Sequence, residues 1–381
     1  MRRLIMPLVS ALLALASLCV LPHRLCEGKA RTFYRGEAEA TRQLGSHVDA
    51  AVEKLALSRF STGSARFDGE WYFGTGMMAA LGFGQTARAH PELAPEALDR
   101  MDRALDTMLG PRARAFDRDA WGSDAFESLD SDQGHAAYLG YANLALSLRR
   151  FVAPGSRFDE LGDRVSAALE RRMNRARGAA LETYPGEIYP VDNAAVAASL
   201  GLRARARGEP EPAAVRAFLR ALGQRYVDPK SGLLHQSVGA ERLPADAPRG
   251  SGTALAAYFL SFTDEESSRA LHRAVRRELA GDVLGFGVVR EYPHSFSGRR
   301  GDIDSGPLIF GYSISAMGFG LAGCRVHGDE DGFRELYRSF HLFGAPLERN
   351  DSLAFASGGP LGNAIVFAML TALPAEHWRR A

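Results

Sequence analysis

The acidic side chains of this 381-residue chain gather in short segments that also carry aromatics and glycine, and Gly301-Asp302-Ile303-Asp304-Ser305-Gly306-Pro307 is one of them. Gly306-Pro307 reads as a helix start, because proline at the first helical position gives up no useful N–H and its φ is already helical. An extended approach to that helix, with its period of two, sets Asp302 and Asp304 on one side and Ile303 on the other. Two aspartates at a helix N-terminus are kept ionised by the dipole and by N–H donors, which suits a base or nucleophile. A general acid needs the opposite surroundings. Glu187 and Glu291, each close to tyrosine and proline, are the candidates for a raised pKa. With Asp192, which follows Tyr189-Pro190-Val191, these residues form a set of carboxylates of the kind that acid-base cleavage of a glycosidic bond requires.

Other side chains in the same segments suit binding. Trp71, Tyr72, Tyr141, Tyr189 and Tyr292 offer ring faces, and His135, Asn193 and Arg249 offer polar contacts. Each has a plainer reading: Asp192 and Asp304 can cap helices, His135 can be a core histidine bonded to a carbonyl, and Trp71-Tyr72 can be ordinary packing. Several letter patterns carry no chemistry. Gly318-Phe319-Gly320-Leu321-Ala322-Gly323 lies inside a helical run with no strand before it, and Asp302-Ile303-Asp304 opens no calcium loop because the twelfth position is Ser313.

The elements that position these groups alternate in character. Residues 94–109 place Leu98, Met101, Leu105 and Met108 on one helical face, and the pattern returns at Phe158/Leu161/Val165/Leu169, Val215/Phe218/Leu222, Leu271/Val275/Leu279 and Phe333/Leu336/Phe340, with 37–57 first in the series. Between them lie runs that are small or apolar on every side, at 74–89, 134–152, 192–206, 250–262, 306–326 and 361–373. Helices apolar all round are buried, whereas one-faced helices lie outside. Starts roughly 55 to 60 residues apart give one helix pair per unit. The expectation is an all-α (α/α)6 barrel, a six-hairpin toroid spanning residues 31–381 as one domain, with only small hairpins in connections such as 233–238 and 285–291. The loops before the six inner helices then open on one end, where the acids and aromatics converge.

Composition narrows the function further. Forty-six basic against 45 acidic residues leave no footprint for nucleic acid. Arg2 and Arg3 precede an apolar run over 4–21, the layout of a secretory signal or an N-terminal membrane anchor, so residues 1–30 are expected to lie outside the fold and the domain to be exported, periplasmic or extracellular. Cys19 and Cys26 belong to or adjoin that segment, which leaves Cys324 as a lone buried hydrophobe and no ligand set for zinc.

Residues 130–262 resemble the linalool dehydratase/isomerase family, through Gly140-Tyr141-Ala142-Asn143-Leu144, Pro190-Val191-Asp192-Asn193 and Tyr226-Val227-Asp228-Pro229 with Gly232. The resemblance implies an exported (α/α)6 fold and a terpene alcohol substrate handled by a histidine and two cysteines. Matched by position, those places are Tyr141, Tyr189 and Ala198 here. The fold is also similar to that of six-hairpin glycosidases. Three functions are therefore expected in turn: a cofactor-independent enzyme cleaving a glycan-like substrate, with no metal; a lyase or hydratase acting on a terpenoid or small alcohol; or a non-catalytic binding toroid.

Overall fold

Ala97, Met101, Ala104, Leu105 and Met108 are buried along one side of a helix over Ala94–Leu109, while the helix over Pro190–Arg207 buries fifteen of its residues on every side. This contrast repeats around the molecule. The computed structural model describes residues 2–296 and 298–379. Its helices in chain order are α1 (Arg2–Arg35), α2 (Ala38–Glu53), α3 (Ala65–Ala89), α4 (Ala94–Leu109), α5 (Pro111–Trp121), α6 (Tyr141–Val152) and α7 (Asp159–Arg175). They continue as α8 (Pro190–Arg207), α9 (Ala213–Ala221), α10 (Gly250–Leu260), α11 (Glu265–Glu278), α12 (Ile314–His327), α13 (Glu330–Gly344) and α14 (Gly359–Leu370).

Helices α3, α6, α8, α10, α12 and α14 each contact the next, and α14 returns to α3, which closes the inner ring. Helices α4, α7, α9, α11 and α13 follow the first five as an outer ring, and α2 supplies the sixth outer position beside α14. The fold is an all-α (α/α)6 toroid. Closure depends on small residues. A Cβ on Gly82 of α3 would lie 2.4 Å from the Phe367 ring of α14, so only glycine lets these two inner helices approach. The inner helices all begin at one end, the mouth, and the outer helices begin at the other, the base. Toward the base, Tyr258 of α10 donates to Gln85 of α3, whose amide donates to the Ala368 carbonyl and Thr371 beyond α14. These bonds cross the barrel axis and close it.

Three antiparallel hairpins stand at the mouth: β1 (Ala280–Val283) with β2 (Phe286–Val289), β3 (Leu308–Ile309) with β4 (Tyr312–Ser313), and β5 (Pro346–Arg349) with β6 (Ser352–Phe355). The hairpin expected near 285–291 is present. Residues 233–238 form only isolated bridges.

Three boundaries differ from the sequence expectation. Helix α12 begins at Ile314 and not at Gly306, because Ser313 caps it through Ala316 N–H. Gly306 has φ +67°, and Phe310-Gly311, both at positive φ, turn the β3–β4 hairpin. Proline after glycine is a local preference, and the capping serine with its hairpin overrides it. Helix α3 begins at Ala65, two turns before the expected start, so Trp71 and Tyr72 stand on the helix and not in a loop. Residues 23–30, expected outside the fold, continue α1 onto α13. Cys26, Ala30 and Phe33 are buried, and Glu27 pairs with Arg334 at 2.5 Å and Arg338 at 3.1 Å. Helical periodicity continues from the apolar run into this amphipathic half, so no boundary falls at residue 30. Among the described residues no helix is long and apolar enough to cross a membrane.

Candidate active site

The mouth segments converge on three carboxylates. Glu70 lies in the second turn of α3, Asp192 in the first turn of α8, and Asp304 in the loop before the β3–β4 hairpin. Burial first, and then the charges of Asp304 and Asp192, raise the Glu70 carboxyl, while Tyr184 bonded to Glu70 and the adjacent Thr183 bonded to Asp192 tie those two acids to one segment.

The segment 180–189 is shaped by Tyr184-Pro185-Gly186-Glu187, a turn closed by Glu187 N–H to the Tyr184 carbonyl at 2.9 Å with Gly186 at φ +78°. Proline then glycine at the central positions is what a type II turn demands. The turn directs the Tyr184 hydroxyl to Glu70. On the far side of the segment, Thr183 donates to Asp192 at 2.8 Å, and Tyr141 donates to the other oxygen of the same carboxylate. Tyr141 is the first residue of α6 and follows a π turn (Ala136–Gly140), a distortion found mostly at functional sites.

Burial raises Glu70 to about 7, opposed by the Tyr184 hydrogen bond and reinforced by Asp304 and Asp192. Burial likewise raises Asp192 to about 6 against the bonds from Tyr141 and Thr183. Asp304 also stands at about 6, lifted first by its surroundings and then by Asp302. Its side chain is nevertheless open to solvent, with Gln236 3.4 Å away. An accessible carboxylate with protein on most sides keeps its own water. Its upward shift is therefore realised fully only when a ligand displaces that water.

Neither Asp192 nor Asp304 caps a helix. The expectation that Asp302 and Asp304 share a helix N-terminus is also corrected, because α12 starts ten residues beyond Asp304. Asp302 does stay ionised, but the cause is Arg249. The guanidinium clasps both its oxygens at 2.6 and 2.8 Å and holds the carboxyl at about 2. Asp302 in turn accepts the N–H groups of Asp304 and Ser305, so it shapes the loop that presents Asp304.

Glu291 does not keep the expected role of general acid. Glu291 is fully buried, bonded to Arg249 Nε and Ser251 Oγ, both at 2.6 Å. Arg249 itself is 1% exposed and wholly engaged, so both anchor the mouth and touch no ligand space. Glu187 stands at the rim, accepting from Tyr189 at 2.8 Å with Arg66 4.0 Å away. Tyr292 lies beside the same anchor, its ring 6.0 Å from the Arg249 guanidinium.

The remaining binding candidates divide. Tyr141 is bonded to Asp192, and Tyr189 to Glu187 at the rim. Trp71 packs edge-on to Phe60, whereas Tyr72 lies under Arg112 and lines an outer groove with Val52 and Arg103, because consecutive residues of a helix point 100° apart. His135 is fully buried, bonded to Asp117 at 2.6 Å and stacked on Trp121. Asn193 is an internal clamp: its amide bonds Leu181 N–H, the Leu181 carbonyl and the Tyr189 carbonyl. Asn363 repeats this clamp on Phe355 and Gly359 at the start of α14, with no bond to the 180–189 segment.

Asn193→Ala and Asn363→Ala should therefore cost similar stability, about 1–3 kcal/mol each by denaturant unfolding, from backbone groups left unpaired. Only the first should move Tyr184 and change turnover. Equal effects on turnover would contradict the assignment.

Sequence reasoning missed Glu70, Tyr184 and Thr183. Glu70 was hidden by the late start assigned to its helix, although an acid adjoining an apolar inner run was itself a signal. Elsewhere, His272, Cys324 and Asp329 bring donor atoms within 4.8 Å of one another toward the base, where Asp329 is already bonded to Arg276 at 2.9 Å. Cys324 is buried as expected, its thiol pushed far up by that burial.

No family model and no curated protein sequence matches the chain. Solved structures do. An unsaturated glucuronyl hydrolase from Bacillus sp. GL1 superposes with TM-score 0.52 at 13% identity, over 88% of this chain and 95% of that one. An inactive variant of the α-1,6-mannanase GH76A of Salegentibacter sp. HEL1_6, in complex with α-1,6-mannotriose, gives 0.53 at 12% identity over 88% and 99%. At such identities the likeness is one of fold, the (α/α)6 toroid.

Proposed function

We propose that the mouth is the active site of a glycan-cleaving hydrolase. The observation that carries this reading is that Tyr184 and the adjacent Thr183 hold Glu70, raised to about 7, and Asp192 on one segment, at the end of the barrel where the solvent-open Asp304 also stands. Near pH 6.5 Glu70 holds a proton while part of Asp304 is ionised. Glu70 would give its proton to the glycosidic oxygen as the bond to the anomeric carbon breaks, and Asp304 would attack that carbon or take a proton from the attacking water. Asp192, bonded through both oxygens to Tyr141 and Thr183, would stay fixed and hold sugar hydroxyls. The solved toroids that bind or degrade glycans lend support by analogy of fold. We also infer export, from the apolar run over 4–21 behind Arg2 and Arg3.

A second reading, a lyase or hydratase on a terpenoid or small alcohol, follows from the linalool dehydratase/isomerase resemblance. Tyr141, Tyr189 and Ala198 stand where that family's histidine and cysteines would be, so this reading rests on the resemblance and not on the family's own reactive groups. Incubating the full chain with neutral, uronic and amino oligosaccharides and with terpene alcohols decides between them. New reducing ends support the hydrolase, dehydrated products the lyase, and binding without any product the non-catalytic toroid.

A further inference from the structure

We propose that the mouth of the barrel docks on a lipid surface, so that the cleft opens toward the membrane. Three observations agree. First, α1 runs antiparallel to α13: Tyr34 stacks near Phe333 at 5.4 Å, Phe33 near Tyr337 at 5.7 Å, and Lys29 reaches Glu348 of β5 at 2.8 Å. Because α13 ends at the mouth, the N-terminal direction of α1 points out of the mouth.

Second, the helix leaves the domain at a defined place. His23 packs on Phe286 at 4.6 Å and over Gly285 in the β1–β2 turn, where a Cβ would lie 2.2 Å from its ring. From there residues 2–22 continue α1 for about 30 Å at the helical rise. Met6, Val9, Leu12 and Leu13 are exposed on this extension, within the apolar run over 4–21.

Third, among the described residues every exposed large apolar side chain outside α1 lies at the mouth. Leu57, Leu243, Leu284, Phe310 and Leu347 come from four different connections around the rim and Phe343 from the end of α13, and Phe310 at a hairpin tip is 89% exposed. Apolar residues scattered singly over a surface need no explanation, but confinement to one end does. An apolar rim around a projecting apolar helix matches a lipid surface.

With the hydrolase reading, on which this last step rests, the substrate class becomes a glycan carried on or close to a membrane. Two measurements on the full chain test the proposal, using phosphatidylcholine/phosphatidylglycerol vesicles at 3:1. In a Cys19→Ser background, a polarity-sensitive thiol label at Phe310→Cys should shift to the blue and be quenched by nitroxide lipids. The same label at Glu209→Cys, at the base, should not respond. Equal responses, or none at Phe310, overturn the docking geometry.

Turnover of a lipid-linked oligosaccharide in the vesicles should exceed that of the free oligosaccharide by about tenfold or more through effective concentration. Phe310→Asp should remove that gain and leave turnover of the free sugar unchanged. Equal turnover of both forms in the unsubstituted chain overturns the substrate class. Turnover of neither overturns the hydrolase reading, while the label result decides the docking by itself.

Discussion

Glu70→Gln should lower kcat by about 10²–10⁴-fold, the range for loss of a general acid, and the loss should shrink for aryl glycosides whose leaving group needs no proton. Asp304→Asn should fall by a similar factor whatever the leaving group. In the unsubstituted enzyme, kcat, which reports the substrate complex, should peak between about pH 6 and 7, declining below as Asp304 takes a proton and above as Glu70 loses its own. The same shift has a stability signature of definite sign. Glu70 in the folded chain binds its proton more tightly than the ordinary value of 4.5 allows. The stability this supplies is complete below about pH 4.5 and is lost as pH rises through about 7. Glu70→Gln should therefore be more stable than the parent at pH 8, by on the order of 2 kcal/mol, and little different at pH 4. A variant less stable at pH 8, with kcat preserved, would remove Glu70 from the mechanism.

The largest stability effect should come from Arg249→Met. Removing the guanidinium leaves Glu291 charged and fully buried and frees Asp302 from its clasp. Breaking a buried pair by deleting one partner costs about 3–5 kcal/mol, because the survivor is left uncompensated. The double variant Arg249→Met/Glu291→Leu should recover part of that loss in urea titrations. Its turnover should stay low, since Asp302 would no longer hold the N–H groups that present Asp304. If the double variant were no more stable than the single one, the pair could not be the source of the cost.

The rings of helices were legible because they rest on periodicity summed over many residues. Ala97, Met101, Leu105 and Met108 cannot be rearranged without exposing an apolar face, whereas α8 has no face to expose. The placement of Asp192 and Asp304 at one end was legible for a related reason: a toroid brings every outer-to-inner connection there. The individual roles were not. Pro307 marked a helix start by local preference, and the β3–β4 hairpin outweighed it. Asp302, Asp304 and Glu291 are of one chemical type and stand within fourteen residues of one another. One is ionised by Arg249, one is raised in the cleft, and one is buried as an anchor. The partner that sorts them, Arg249, lies more than forty residues earlier in the chain, and no spacing rule connects it to them. Asn193 read as a ligand group because nothing in the sequence reveals that the Leu181 and Tyr189 backbone already consumes its amide.

The bonds from Tyr258 through Gln85 to Ala368 make the toroid a cup and not a ring. A polymer cannot thread through it. A chain can only lay a segment across the lip or lower one end inside, and whatever is released must leave by the way the substrate arrived. Capture and release therefore alternate in time through one doorway, which disfavours sliding along a chain with successive cuts and favours a separate encounter for each bond broken.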